Sequence, residues 1–229
     1  MAIKYDQNVW FSSRFAIYNF WVIRDKVGES AKTSIKFQKE REAWILGVVL
    51  LGIKKLKGQL WWLKIPEVDP PDLEAMSVLP DSGKDRNVQF HREIEVMEIT
   101  DKSKGTIIES IASKLKNKYY IKETGLVVYL RKTMFIPDMQ LLAMDISKLK
   151  PRVADIWLVG NTKLDTNDFI IFSILPEVEI IRFNLDDEIR QLPKGDRIEM
   201  IFGKGTKTTL TSAPITKFNP KGIMQLQEN

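Results

Sequence analysis

The stretch Val88 to Thr100, VQFHREIEVMEIT, decides the fold. Its residues alternate: Val88, Phe90, Arg92, Ile94 and Val96 fall on one face, and Gln89, His91, Glu93, Glu95 and Met97 on the other. A period of two predicts a β-strand with one apolar side turned to a core. Glu93 and Glu95 then share a face, their α-carbons roughly 7 Å apart given the strand rise. Two acids side by side in so apolar a segment repel one another and lose hydration unless something compensates them. Three readings answer that need. The acids decorate the polar face of a half-exposed strand, they pair with lysines of a neighbouring element, or they hold a divalent cation. Oxygen ligands of this kind suit Mg²⁺ or Mn²⁺.

Working outward, Pro80 to Asn87 (PDSGKDRN) is dense in turn formers and reads as a hairpin connection. Before it, Asp72 to Leu79 follows the Pro70-Pro71 break as a second strand, and Leu60 to Ile65 (LWWLKI) as a first. From Ile35 to Lys57 the period lengthens to that of a helix. Trp44, Val48 and Leu51 form one stripe, flanked by Ile45, Val49, Ile53 and Leu56, and Gly58 closes the helix. On the other side, a helix is predicted over Gly105–Tyr120. Gly125 to Leu130 (GLVVYL), apolar throughout, reads as a buried strand of parallel type. A helix over Met139–Lys150 and strands at Asp155–Gly160, Phe169–Leu175 and Val178–Phe183 follow. In the last 45 residues strand-like pieces such as Arg197 to Phe202 mix with turns. This order predicts an α/β fold, a mixed central sheet flanked by helices.

With 229 residues, 44% hydrophobic and 28% charged, the chain is expected to form one domain. Residues 1–35 would be an aromatic packing segment, 36–160 the core and 161–229 a strand-rich extension. There is no cysteine, which excludes disulfides, thiolate metal sites and cysteine nucleophiles. The longest apolar run, Ala43 to Ile53, falls short of the about 20 residues that span a bilayer. Met1 to Trp10 lacks the pattern of a signal peptide. The expectation is a cytoplasmic protein without a membrane segment. A net charge of +5 permits a polyanionic partner. Lys54, Lys55 and Lys57 cluster after the long helix, and Lys114, Lys116 and Lys118 form a second group.

Other motifs are sparse. His91 is the only histidine, and no Gly-x-Ser-x-Gly, Walker loop or GxGxxG accompanies it. Phe202 to Lys207 (FGKGTK) reads as a basic turn. A third acid joins the glutamates if the hairpin returns Asp72 toward them. Pro80-Asp81 is a second Pro-Asp pair, but it lies in the turn sequence PDSG.

The order acid-bearing helix, strand, Pro71-Asp72 at a strand start, hairpin, Glu93-Ile94-Glu95, helix and buried strand resembles the core of the PD-(D/E)XK (restriction-endonuclease-like) nucleases. The resemblance covers about residues 36–160. It implies a restriction-endonuclease-like core and a Mg²⁺- or Mn²⁺-dependent endonuclease acting on DNA. Asp72, Glu93 and Glu95 would be metal ligands, and Lys54, Lys55, Lys57, Lys114 and Lys118 contacts to the nucleic acid. The resemblance also implies an acid from the helix before the first strand, Glu40 or Glu42, of which Glu42 shares the stripe with Ile45 and Val49. The sequence departs from the family at one point, since Glu95 stands where the lysine is usual. A lysine from the following helix, Lys114 or Lys118, would replace it. Otherwise the chain is an inactive module of the same fold that binds nucleic acid or a protein partner.

Overall fold

A computed structural model of the chain describes residues 10–68, 70–80, 87–116, 120, 124–132, 134, 136, 138–163, 166–192, 217–218 and 224–225. They fall into two compact units, residues 1–91 with 192–229, and residues 92–191. Eight strands succeed one another in chain order through a mixed sheet, β1 to β8, with helices between them. The α/β class expected from the sequence is the class observed.

In the first unit, β1 (Phe11–Ser12) leads into α1 (Ser13–Val27), a helix missing from the sequence-based expectation. Ser12 caps it, its hydroxyl accepting from the Phe15 N–H at 3.1 Å. A short α2 (Ser30–Thr33) and a 3₁₀ turn (Ile35–Phe37) precede α3 (Gln38–Lys57). Apolar residues all round α3 predict a central helix, and from Arg41 to Ile53 every residue is buried. Phe20 of α1 stacks on Trp44 of α3 with ring centroids 5.0 Å apart. Gly47 lets the helices approach, since a Cβ there would sit 3.2 Å from the Ser13 carbonyl oxygen. Gly58 ends α3 in the left-handed region at φ 67°, its N–H donating to the Lys54 carbonyl. β2 (Trp62–Lys64) pairs antiparallel with β3 (Leu73–Pro80), Leu63 opposite Ala75. Trp62 is buried and Trp61 half-buried. A two-stranded ribbon, β9 (Lys217–Phe218) with β10 (Met224–Gln225), also belongs to this unit.

β4 (Asn87–Ile99) runs on from the first unit into the second. There it pairs in parallel with β5 (Thr124–Leu130), which pairs in parallel with β6 (Asp155–Asn161). The buried strand of parallel type expected at GLVVYL is therefore present, buried from Thr124 to Tyr129. α4 (Ile107–Lys116) and α5 (Met139–Lys148) are the connections, and β7 (Asp168–Leu175), β8 (Glu179–Asn184) and α6 (Leu185–Arg190) complete the unit. β7 pairs antiparallel with β6, and β8 antiparallel with β7. Ile99, Ile107, Ile111, Leu126, Val128, Ile156 and Leu158 make one core, on the α4 side of the sheet. Each such side chain, fully buried, contributes about 1.5–3 kcal/mol relative to exposure. On the other side Ile94 and Trp157 close over Gly125, where a Cβ would lie 2.8 Å from the Trp157 ring and 3.0 Å from Ile94.

The one-sided alternation expected for β4 holds only in part. Ile94, Glu95 and Val96 are buried in succession, because this half of the strand is covered on both faces. The hairpin connection at 81–86, the strand-like Arg197–Phe202 and the FGKGTK turn lie outside the described residues. No described helix is long and apolar enough to cross a membrane.

Candidate functional site

In the first unit α3 begins beside the start of β3. This brings Glu42, on the second turn of the helix, to Asp72, the residue before the strand. Both are buried, with 4% and 6% of their surfaces exposed. Burial, and next the negative charge of Asp72, hold the Glu42 carboxyl above its ordinary range, against lowering contributions from Gln38 and Lys39. Gln38 Nε2 donates to Glu42 Oε1 at 2.8 Å. Lys39 Nζ lies 3.3 Å from Glu42 Oε2 and 3.6 Å from Asp72 Oδ1, and it donates to the Asp72 carbonyl at 3.5 Å. The contact to Glu42 Oε2 is close enough for charge but not aligned as a hydrogen bond, and that buried oxygen has no hydrogen-bond partner among the described residues. Of the two helix acids open from the sequence, Glu42 is the one beside Asp72.

In the second unit Glu95 is 1% exposed on the α4 side of β4. Lys114, two turns along α4, reaches back to it with Nζ 2.8 Å from Oε2 and 3.5 Å from the Val96 carbonyl oxygen. Tyr120 Oη donates to the Lys114 carbonyl at 3.3 Å. A capping box positions this helix: the Thr106 hydroxyl accepts from the Glu109 N–H at 3.1 Å, and the Glu109 carboxylate from the Thr106 N–H at 2.7 Å. Pairing with a lysine of a neighbouring element is thus how Glu95 is compensated. Glu93 lies on the same face, half-buried.

Lys55 and Lys57 are exposed at the end of α3, Lys54 is half-buried, and Lys118 lies outside the described residues. His91 does not stand alone. Its Nε2 is 3.0 Å from Glu74 Oε2, which Lys64 Nζ also approaches at 2.8 Å. Among the described residues no three His, Asp or Glu side chains form a group that could hold a metal ion. Of the acids expected at the site, the described residues bring Glu42 to Asp72 and Glu95 to Lys114.

Lys39 is absent from the sequence reading. Its spacing of three from Glu42 on one helix face was the available signal, but its contact with Asp72 spans 33 residues of chain. No family model, curated protein or solved structure matches this chain.

Proposed function

We propose that the chain is a divalent-metal-dependent nuclease that hydrolyses DNA phosphodiester bonds. The observation that carries the proposal is the Glu42–Asp72 pair, two buried carboxylates from α3 and the start of β3 that share one lysine. A protein that needed this region only for stability would gain by losing one charge, since buried like charges raise each other's cost. The donors fit a hard cation. Both are oxygen ligands, one oxygen of Glu42 lacks a hydrogen bond, and Mg²⁺ commonly takes one or two carboxylates and completes its shell with water and phosphate. Such an ion, when bound, lowers the pKa of its water and offsets charge on the phosphoryl oxygens.

The chain's own residues have separate tasks. Asp72 and Glu42 would hold the ion from the first unit. Glu93 and Glu95 occupy the (D/E)XK segment. Lys114, fixed between Glu95 and the Val96 carbonyl, supplies the positive charge that Glu95 displaced from the strand. A preset cation of this kind stabilises negative charge as it develops. The exposed lysines at the end of α3 meet the phosphate backbone without regard to sequence.

A second reading rests on a specific observation: Glu42, Asp72 and Glu95 each already have a lysine, Lys39 or Lys114. On that reading the module binds nucleic acid or a protein without chemistry. Incubating the protein with circular single- and double-stranded DNA and Mg²⁺ or Mn²⁺ decides between them. The nuclease cleaves, and Asp72→Asn and Glu95→Gln each lower the rate at least about 100-fold, roughly the loss seen when one group acting on transition-state charge is removed. DNA bound but uncut with either metal supports the inactive module.

A further inference from the structure

Glu93 of β4 stands directly across from Thr124, the first residue of β5. Partners in a parallel ladder turn their side chains to one face, and alternation puts Glu95 and Leu126, the partners two residues on, on that face as well. Thr124 is 1% exposed, and among the described residues its Oγ1 has no hydrogen-bond partner. Backbone needs do not explain the threonine, because its carbonyl already accepts from the Ala154 N–H at 2.7 Å. Valine would fill the same space in a strand without burying a polar atom. Buried hydroxyls in folded proteins nearly always have a partner, protein or water. Opposite it stands the half-buried Glu93, so a carboxylate acceptor and the unpartnered hydroxyl share one register position on one face.

We propose that Thr124 Oγ1 and the Glu93 carboxylate together hold a water molecule between β4 and β5, and that Thr124 is a positioning residue of the hydrolysis proposed above. The Thr124 hydroxyl donates to the water and the water donates to Glu93, which leaves one hydrogen and one lone pair for a further partner. Polar lining on two sides is what makes a buried site wet. The role in hydrolysis rests on the nuclease reading; the water site does not.

Both parts are testable on the full chain with Thr124→Val and Thr124→Ser. A bound water predicts that valine lowers the melting temperature by about 2–4 °C, while serine stays near wild type. A high-resolution crystal structure then has density within hydrogen-bond reach of both oxygens, absent in the valine variant. If the hydroxyl is merely unsatisfied, valine leaves the melting temperature unchanged or raises it, the position is dry, and the proposal is overturned. For the positioning role, Thr124→Val lowers kcat about tenfold with KM unchanged, and serine restores it. A change in KM alone, or an equal loss with serine, overturns that role. A wild-type protein that does not cleave DNA removes the role together with the nuclease reading, while density and melting temperature still decide the water.

Discussion

Glu42 and Glu74 have carboxyl groups displaced in opposite directions, and each displacement carries a sign for stability. Burial and then Asp72 raise Glu42, so the folded chain holds that proton more tightly than the unfolded chain. Its stabilising contribution is complete below the unfolded value and is lost as pH rises through the folded one. Glu42→Gln is therefore predicted to raise the melting temperature at pH 7 by about 2–4 °C, with the gain shrinking toward pH 4, while cleavage is lost. A residue whose removal stabilises the fold and abolishes activity is retained for function. For Glu74, burial raises the carboxyl, but hydrogen bonds from His91 and Lys64 and their charges outweigh it and the net displacement is downward. That contribution is present above the unfolded value and lost as pH falls through the folded one. Glu74→Gln should lower the melting temperature at pH 7 and match wild type in strong acid, read by thermal unfolding across pH. The pairing of Glu95 with Lys114 was legible only as one option among three. It depends on how α4 is rotated against β4, and no local pattern states that rotation.

At the scale of elements, α4 is what holds Lys114 against Glu95. Thr106→Ala breaks the capping box and should cost about 1 kcal/mol. It should also reduce cleavage through fraying of the helix that carries Lys114, measurable as faster amide exchange in the first turn of α4. Gly125 is the tight point of the second unit. Gly125→Val forces Trp157 and Ile94 aside and should cost about 1–3 kcal/mol by overpacking. Trimming the ring with Trp157→Leu should recover part of that loss in chemical denaturation. The elements read best from sequence were those with long, regular signals: α3 with its all-round apolar surface, and β5 with its unbroken apolar run. α1 was missed because its aromatic residues Phe15, Tyr18, Phe20 and Trp21 spread around the helix. Tyr18 faces solvent while Phe20 is buried, so no single stripe stood out. The Ser12 cap was the overlooked local signal. The one-sided reading of β4 failed where a strand's second face is covered by residues distant in the chain.

For the molecule as a whole, the mixed sheet with helical connections followed from the order of elements alone, because α4 and α5 are what parallel neighbours need between them. The acid pair was legible only as a list of candidates. Strand order brings segments together, but Lys39, Glu42 and Asp72 meet through packing that sequence does not encode locally. A net charge of +5 with lysines exposed at the end of α3 predicts DNA affinity that falls steeply with salt. Replacing Lys54, Lys55 and Lys57 together by alanine should make the log–log salt slope shallower by roughly 2–3, at about 0.9 per phosphate contact. Fluorescence anisotropy at several salt concentrations measures it. If Glu42 and Asp72 form a cation site serving hydrolysis, calorimetric titration of Mn²⁺ into the full chain, with and without a non-cleavable DNA, detects it. The expected result is saturable binding that Glu42→Gln and Asp72→Asn each abolish. Absence of binding under both conditions, or binding that survives both substitutions, rules out a cation site at this pair.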